Sequence, residues 1–483
     1  MYLLRRFALL CAAPLLLAAC AHRPLPDPLQ TALQAQGLPA DSLALLLEPV
    51  GQAAPVLALQ AQRAMAPGST MKLVTAAVAL ERLGPNARAA TELRATTPPD
   101  ADGVLHGPLY VRGGGEADLG YAELHQLLRE LREQGVRELR GGVVLDRSLF
   151  QPERPDQGLP PFDDTPEFPY NVIPDALQLA GSLQRLELQS SAQGVMQGRL
   201  SPVLPGIELD LSGLRPAARA CADWEDGWQA PQVVREADDR QRVRLQGEFP
   251  PKCRVSQALQ LVDRQVLWER ALRQFWAELG GQWGAHAEVQ AGRTPPDSLL
   301  LARHLERPLA ELLRGLMKRS DNAQTRLLYQ RLGAAVARPG EPTLSAAGRA
   351  VQTWFAERGI PVEGLVMDNG SGLSRSERIS ARQMADLLQT VWREQRHLPE
   401  FLNTLPVAGE DGTLSRRLKH GPAQGRARLK TGTLRDVVGL AGYLWDRAGR
   451  PWVLVAWINH DSPDLPQRGR AVLDAVAEWA ASR

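Results

Sequence analysis

The chain has 483 residues, of which 44% are hydrophobic, 23% charged and 5% aromatic, with a formal net charge of +2. That composition is globular, which excludes a disordered, fibrous or wholly membrane-embedded chain, and the near-neutral balance supplies no bulk field for gripping nucleic acid. The length suggests about three domains. The basic residues are lopsided: five lysines (Lys72, Lys252, Lys318, Lys419 and Lys430) stand against 51 arginines among the 56 basic residues. A chain that uses arginine wherever any cation will do makes each of its few lysines worth inspecting.

At the N-terminus, Arg5 and Arg6 precede an eleven-residue apolar run, Phe7 to Leu17, and then Leu17-Ala18-Ala19-Cys20. The run is shorter than the ~18 residues of a spanning helix and has the layout of a secretory signal. The last four residues resemble the bacterial lipoprotein box, which implies removal of residues 1–19 and lipidation of Cys20. A Pro-rich tether over 20–30, with Pro24, Pro26 and Pro28, follows. An ordinary signal peptide or an uncleaved anchor is the alternative. Ala21 is not the aspartate that favours inner-membrane retention, so the expected location is the periplasm, with a lipid anchor in the outer membrane as the sole membrane contact. Two thiols then remain, Cys221 and Cys253, 32 positions apart. An oxidising compartment favours a disulfide between them, with two buried free thiols as the alternative. Neither has a second Cys or a His within four positions, so zinc is not expected, and neither is any other metal or cofactor.

Further along, a helix is predicted from Ser69 to Leu83, stopped by Gly84-Pro85. A short strand at Leu109–Val111 runs into Gly113-Gly114-Gly115, which reads as a tight turn because no Lys-Ser/Thr follows to make it a phosphate loop. Ala122 to Gln134 is predicted as a helix and Gly142 to Leu145 as a buried strand, before a Pro-rich loop from Pro152 to Pro169. Alternating apolar residues from about Leu183 to Val255 suggest an all-β module. Helical periodicity returns over Gln257 to Leu279 and again over Leu309 to Leu332. Three strands close the chain, Leu429–Thr433, Leu440–Trp445 and Trp452–Ile458, as an antiparallel meander followed by a helix over Arg468–Ala481.

Three short motifs carry chemistry. In Ser69-Thr70-Met71-Lys72 the serine and lysine are three apart on a helix and share a face. A serine hydroxyl needs a base to become a nucleophile; a desolvated lysine can lose its proton, whereas a guanidinium cannot. The bland reading is a capping serine with a solvated lysine. Against it, Leu73, Val74, Ala76, Ala77, Val78 and Leu80 are apolar nearly all round, so this helix is predicted to be buried. Ser320-Asp321-Asn322 alone reads as a helix cap. Lys430-Thr431-Gly432-Thr433 lies on a predicted strand, where glycine permits close approach and a lysine with two threonines suits a carboxylate. Together, S-x-x-K, S-D-N and K-T-G are the signature of class A β-lactamases and penicillin-binding proteins.

Spacing separates the two. From Ser69 to Ser320 is 251 positions and from Asn322 to Lys430 is 108, whereas a class A β-lactamase keeps the first interval several-fold shorter. Glu341-Pro342-Thr343-Leu344-Ser345 imitates the deacylating loop of those enzymes but lies only 19 residues after Asn322, and reads as a turn. The long insertion resembles the S13 peptidase family, the penicillin-binding protein 4 type of D-alanyl-D-alanine carboxypeptidase/endopeptidase. So do Pro67-Gly68-Ser69-Thr70-Met71-Lys72-Leu73, Asp368-Asn369-Gly370-Ser371-Gly372-Leu373-Ser374-Arg375, and Leu405-Pro406-Val407-Ala408-Gly409 with Asp411-Gly412-Thr413-Leu414. Departures from the family pattern are Asn369 in place of an Asp, and Gln324-Thr325 in place of Ala-Glu.

The resemblance implies an α/β (α+β) fold: a serine β-lactamase-like transpeptidase domain, an antiparallel sheet flanked by helices, from residues 31–90 and 290–483. Two nested β-rich domains are expected over 91–289. It implies Ser69 as nucleophile, Lys72 as base, Ser320 as proton relay between Lys72 and Lys430, Asn322 on the substrate amide, and Lys430, Thr431, Gly432 and Thr433 around the substrate carboxylate. The expected partners are peptidoglycan stem peptides, with β-lactams as covalent inhibitors and no nucleic acid. A β-lactamase and a non-catalytic peptidoglycan-binding lipoprotein are the rival readings.

Overall fold

The computed structural model describes residues 25–52, 54–153 and 165–483. Cys11, Cys20 and the signal-like run lie outside the described residues.

In the strand Leu43–Pro49 every residue from Leu43 to Leu47 is buried, so both of its faces are covered. Leu43, Leu45 and Leu47 pack on one side with Leu29 and Leu33 of the helix Asp27–Ala35 and with Val472, Leu473 and Val476 of the helix Leu465–Ala481. Ala44 and Leu46 pack on the other side with the helices Lys72–Arg82, Leu309–Arg319, Thr343–Glu357 and Ala381–Glu394. The strand is one of five in an antiparallel sheet whose order is Ala427–Leu434, Val437–Trp445, Pro451–Asn459, Leu43–Pro49, Leu57–Leu59. Its register, with Leu45 opposite Ala456, brings the first and last parts of the chain into one sheet. The expected antiparallel sheet flanked by helices is present, and the C-terminal meander is longer at both ends than its apolar pattern indicated.

The middle of the chain has its own core and its own sheets. One is five-stranded and mixed, in the order Val289–Ala291, Val143–Asp146, Leu109–Arg112, Ala90–Ala95, Leu299–Leu305. The helices Tyr121–Glu133 and Arg264–Glu278 contribute Leu124, Leu127, Leu128, Trp268 and Trp276 to the same core. Gly113 and Gly114 are pressed against neighbouring backbone: a Cβ on Gly114 would lie 2.3 Å from the Ala90 oxygen. Two three-stranded sheets follow, one of Gln184–Ser190, Met196–Ser201 and Arg254–Leu259, the other of Ile207–Pro216, Trp228–Arg235 and Gln241–Phe249. A disulfide joins Cys221 to Cys253, with Cα atoms 5.2 Å apart.

One helical expectation changes. Gln257–Leu259 extend a strand opposite Leu186–Gln184, and the helix starts only at Arg264, where the Asp263 carboxylate accepts from the Gln265 N–H at 2.7 Å. The apolar period ran through both elements, so only the cap marks the change. The run over Leu309 to Leu332 is two helices, Leu309–Arg319 and Asn322–Ala334. Ser320 ends the first in the left-handed region at φ +59°, and Asp321 caps the second by accepting from Gln324 N–H at 2.9 Å.

Candidate active site

The turn Gly68–Met71 enters the helix Lys72–Arg82, so Ser69 sits at the start of a buried helix. Several bonds hold that turn against the sheet. Asn459, at the end of its strand, pairs with Ala66 in both directions, Ala66 N–H to Oδ1 at 2.9 Å and Nδ2–H to the Ala66 carbonyl at 3.0 Å. Trp457 Nε1 donates to Thr70 Oγ1 at 2.9 Å. Gly432, on the neighbouring strand, lets the backbones approach closely: a Cβ there would lie 2.7 Å from the Pro67 oxygen and 3.0 Å from the Ser69 nitrogen. The glycine predicted to admit a ligand thus first admits the chain's own Pro67–Ser69 turn.

Lys72 is fully buried. Its Nζ lies 3.0 Å from Ser69 Oγ, 2.5 Å from Asn322 Oδ1 and 2.5 Å from the Ser371 carbonyl oxygen. Burial lowers its pKa to about 7; Glu377 and Asp321 pull it up, and Arg326 pushes it further down. The partner set decides what a neutral amine does here. Asn322 Oδ1 and the Ser371 carbonyl can only accept, so they take the two amine hydrogens. The lone pair is left for the one partner that can donate, the Ser69 hydroxyl. Deprotonated Lys72 is therefore arranged as a base for Ser69 and for no other group it touches.

Lys430 is also fully buried, donating to Ser320 Oγ at 2.7 Å and to the Thr431 carbonyl at 2.8 Å. Burial, and then the nearby Lys72, drive its pKa well down. Thr431 Oγ1 is bonded to Thr413 Oγ1 at 2.7 Å, and half-buried Thr433 continues the same strand. The structure thus gathers Ser69, Lys72, Ser320, Asn322 and Lys430–Thr433, although 361 positions separate the first from Lys430. One expected contact is not formed. Among the described residues the Ser320 hydroxyl bonds Lys430 and not Lys72, which spends its hydrogen bonds on Ser69, Asn322 and Ser371.

Four further residues complete the site. Lys318 donates to both Asp411 oxygens, at 2.8 and 2.6 Å, and to the Leu405 carbonyl at 2.7 Å. Asp411 in turn accepts from Val407 N–H at 2.9 Å, so the lysine preceding the second motif fixes the loop that carries Thr413. Scarcity of lysine was a signal for Lys318; its partner could not be read from sequence. Ser371 was part of a family-like stretch, but its contribution is a backbone carbonyl, which leaves no trace in side-chain identity. Glu341 pairs with Arg349 at 2.6 Å beside the helix Thr343–Glu357, as befits a turn residue.

The architecture is similar to the crystal structure of penicillin binding protein 4 from Haemophilus influenzae, with a TM-score of 0.78, 23% identity, and coverage of 94% of this chain and 99% of that one. A second crystal structure of that protein, complexed with a novel β-lactam, matches with a TM-score of 0.71 at 23% identity over 90% of this chain and 94% of that one. The fold is accordingly a penicillin-binding-protein fold. Among curated proteins, the D-alanyl-D-alanine carboxypeptidase of Actinomadura sp. (strain R39) is 28% identical over 86% of this chain and 77% of its own length. D-alanyl-D-alanine carboxypeptidase DacB of Haemophilus influenzae is 29% identical over 76% of this chain and 75% of its own. The model of the D-Ala-D-Ala carboxypeptidase 3 (S13) family matches residues 25–482, and the chain belongs to that family of peptidase enzymes.

The packing of Ser371 yields a prediction. Gly372 has φ +80°, and a Cβ on it would lie 1.8 Å from the Gly68 oxygen and 2.8 Å from the Ser69 nitrogen. Gly372→Ala is expected to destabilise the protein by roughly 1–3 kcal/mol and to displace the Ser69 turn. Thermal unfolding and labelled-penicillin attachment measure the two effects; an unchanged Tm with full labelling would count against the close approach.

Proposed function

We propose that the protein is a serine DD-peptidase that cleaves peptides ending in D-Ala-D-Ala, D-Ala-diaminopimelate cross-links of peptidoglycan, or both, through an acyl-enzyme on Ser69. The observation that carries the reading is the partner set of Lys72, which leaves its lone pair only to Ser69.

Lys72 takes the Ser69 proton as Oγ adds to the penultimate D-Ala carbonyl. The Ser69 and Thr433 N–H groups receive the oxyanion, each such donor being worth about 10²–10³ in rate. Lys430 with Thr431 and Thr433 takes the terminal carboxylate, whose negative charge favours the charged form of Lys430 against the burial that lowers its pKa. That capture competes for the Lys430 amino group bonded to Ser320, freeing the Ser320 hydroxyl to turn and pass the Lys72 proton to the leaving amine. Asn322 holds the substrate's peptide amide. Water then attacks the ester, giving its proton to Lys72, and Ser69 leaves with that proton. A β-lactam follows the same path to a stable ester. The relatives named D-alanyl-D-alanine carboxypeptidases support this reading.

In the same reading, residues 31–90 and 290–483 form the peptidase domain around the antiparallel sheet, and 91–289 form inserted domains. The pairing of Leu299–Leu305 with Ala90–Ala95 favours placing the return to the peptidase domain nearer Leu309. The protein works in the periplasm, held to the outer membrane by lipid on Cys20. Cys20→Ala is expected to shift it from the membrane to the soluble fraction of a cell lysate; unchanged fractionation would exclude the anchor.

Digestion of purified muropeptides tests the activity: loss of monomer pentapeptides reads carboxypeptidase action, and loss of cross-linked dimers reads endopeptidase action. Turnover of nitrocefin without trapping would favour a β-lactamase instead. Ser69→Ala is expected to abolish covalent attachment of labelled penicillin, and Lys72→Arg, which keeps the charge but removes the base, to slow it by at least ~10²-fold. Persistent labelling of the first variant, or near-wild-type labelling of the second, would remove the assigned role. Because the base is the neutral form of Lys72, the acylation rate should rise with pH through about 7 and then level. A rate that falls across that range would contradict it.

A further inference from the structure

The amine of Lys72 is held from below by a turn, and that turn is folded around one buried carboxylate. Ser371, whose carbonyl accepts from Lys72 at 2.5 Å, lies between Gly370 at φ +73° and Gly372 at φ +80°. Glu377 is fully buried and grips the peptide groups on both sides of Ser371. Its Oε1 accepts from Gly370 N–H at 2.7 Å, Asn369 N–H at 3.1 Å and Asp368 N–H at 3.3 Å; its Oε2 accepts from Gly372 N–H at 2.7 Å. The next strand, Ile379–Ser380, pairs with Ala64–Met65 just before the Ser69 turn, so the carboxylate is anchored to the segment that presents the nucleophile.

We propose that Glu377 is a positioning residue of the acylation step: its carboxylate folds the 368–372 turn around the Lys72 amine and is the anion that balances that amine when it is charged. This rests on the reading of Lys72 as the base for Ser69.

Two features of the geometry support the anionic form. All four partners of Glu377 are backbone N–H donors, spread over both oxygens. A protonated carboxyl needs an acceptor for its own hydrogen, and none of these groups is one. Burial pushes the Glu377 pKa up, and the N–H groups pull against it. Among the described residues no side-chain cation forms an ion pair with the Glu377 carboxylate, and the amine whose charge it favours is that of Lys72. The other groups around that amine are Asp321 and Arg326 at the start of the helix Asn322–Ala334, and Lys430 on the strand Ala427–Leu434. Nearest Glu377 itself are Tyr329, Asp368 and Arg378, whose guanidinium donates to the Glu377 backbone carbonyl at 2.8 Å. Asp321 is already committed to its helix cap through Gln324. Buried Glu377 is the foremost of the charges that raise the Lys72 pKa against the effect of burial.

The sign of the effect follows. Without the Glu377 charge the ammonium is less stable, and Lys72 becomes neutral at lower pH. In Glu377→Gln the acid limb of the pH profile for penicillin acylation should therefore move down by about one pH unit. Measured well below the limb, and relative to each protein's own plateau, acylation should be about tenfold faster than in the wild type. The plateau itself should fall, because one amide oxygen cannot serve donors on both sides of Ser371.

Glu377→Asp and Glu377→Asn give the same comparison if the glutamine variant does not fold, since the two share a length and differ in charge. The asparagine limb should lie below the aspartate limb. Coincident limbs with lowered plateaus would overturn the counter-charge role and leave Glu377 a merely structural residue; limbs moved to higher pH would overturn it as well. Failure of the underlying reading is distinguishable, because Lys72→Arg would then take label at near the wild-type rate, or Ser69→Ala would go on taking label at every pH.

Discussion

A primary amine removed from water cannot easily keep its proton, and a primary amine that keeps its proton cannot take one from serine. The site is organised around that conflict at Lys72. Complete burial brings its pKa from 10.5 to about 7, a shift in the range that desolvation alone can produce. Two acceptor-only oxygens then fix where its hydrogens point, and the Ser69 hydroxyl lies in the remaining direction. Arginine is used nearly everywhere else in this chain, but its guanidinium stays charged in any such pocket and could not replace Lys72.

Burial of that amine requires three distant parts of the chain to close over it. The sheet supplies one wall, with Gly432 allowing the strand to press against the Ser69 turn. The helix that begins at Asn322 supplies a second, and its start is set by the break at Ser320 and Asp321. The glycine-flanked turn at Ser371 supplies the third. Lys318, at the end of the helix Leu309–Arg319 that precedes the second wall, joins through Asp411 to the loop carrying Thr413, which in turn holds Thr431 beside Lys430. A lysine with an ordinary ion-pair role thus stands two positions before the second motif, and the scarcity of lysines flagged it without revealing what it does.

Much of the architecture was legible because local signals agreed with the fold. The all-apolar helix after Ser69, the C-terminal meander and the closing helix all lie where periodicity places them. A misreading occurs where one apolar period runs across two elements. Gln257–Leu259 continue the period of the helix that follows, and only the Asp263 cap marks the boundary. In the run from Leu309 to Leu332 the Ser320-Asp321-Asn322 cap marks the break between two helices, although nothing in a serine announces the left-handed conformation of Ser320. That same break lets one short motif do two things, with Asp321 capping a helix while Ser320 and Asn322 face the two lysines.

What the sequence by itself determined was the chemistry and its order along the chain: Ser69 with Lys72 one helical turn on, Ser320 with Asn322, and Lys430 with its threonines. Side-chain type and short spacing encode these directly, since reactivity belongs to the residue and a helix or strand fixes its near neighbours. Only the tertiary structure decided which of their possible contacts form. It gave Ser320 to Lys430 and not to Lys72, supplied a backbone carbonyl at Ser371, and placed Glu377 under the turn that carries it. Those choices depend on burial and on backbone groups from segments hundreds of residues apart, and neither burial nor a carbonyl's direction is written in the identity of a residue.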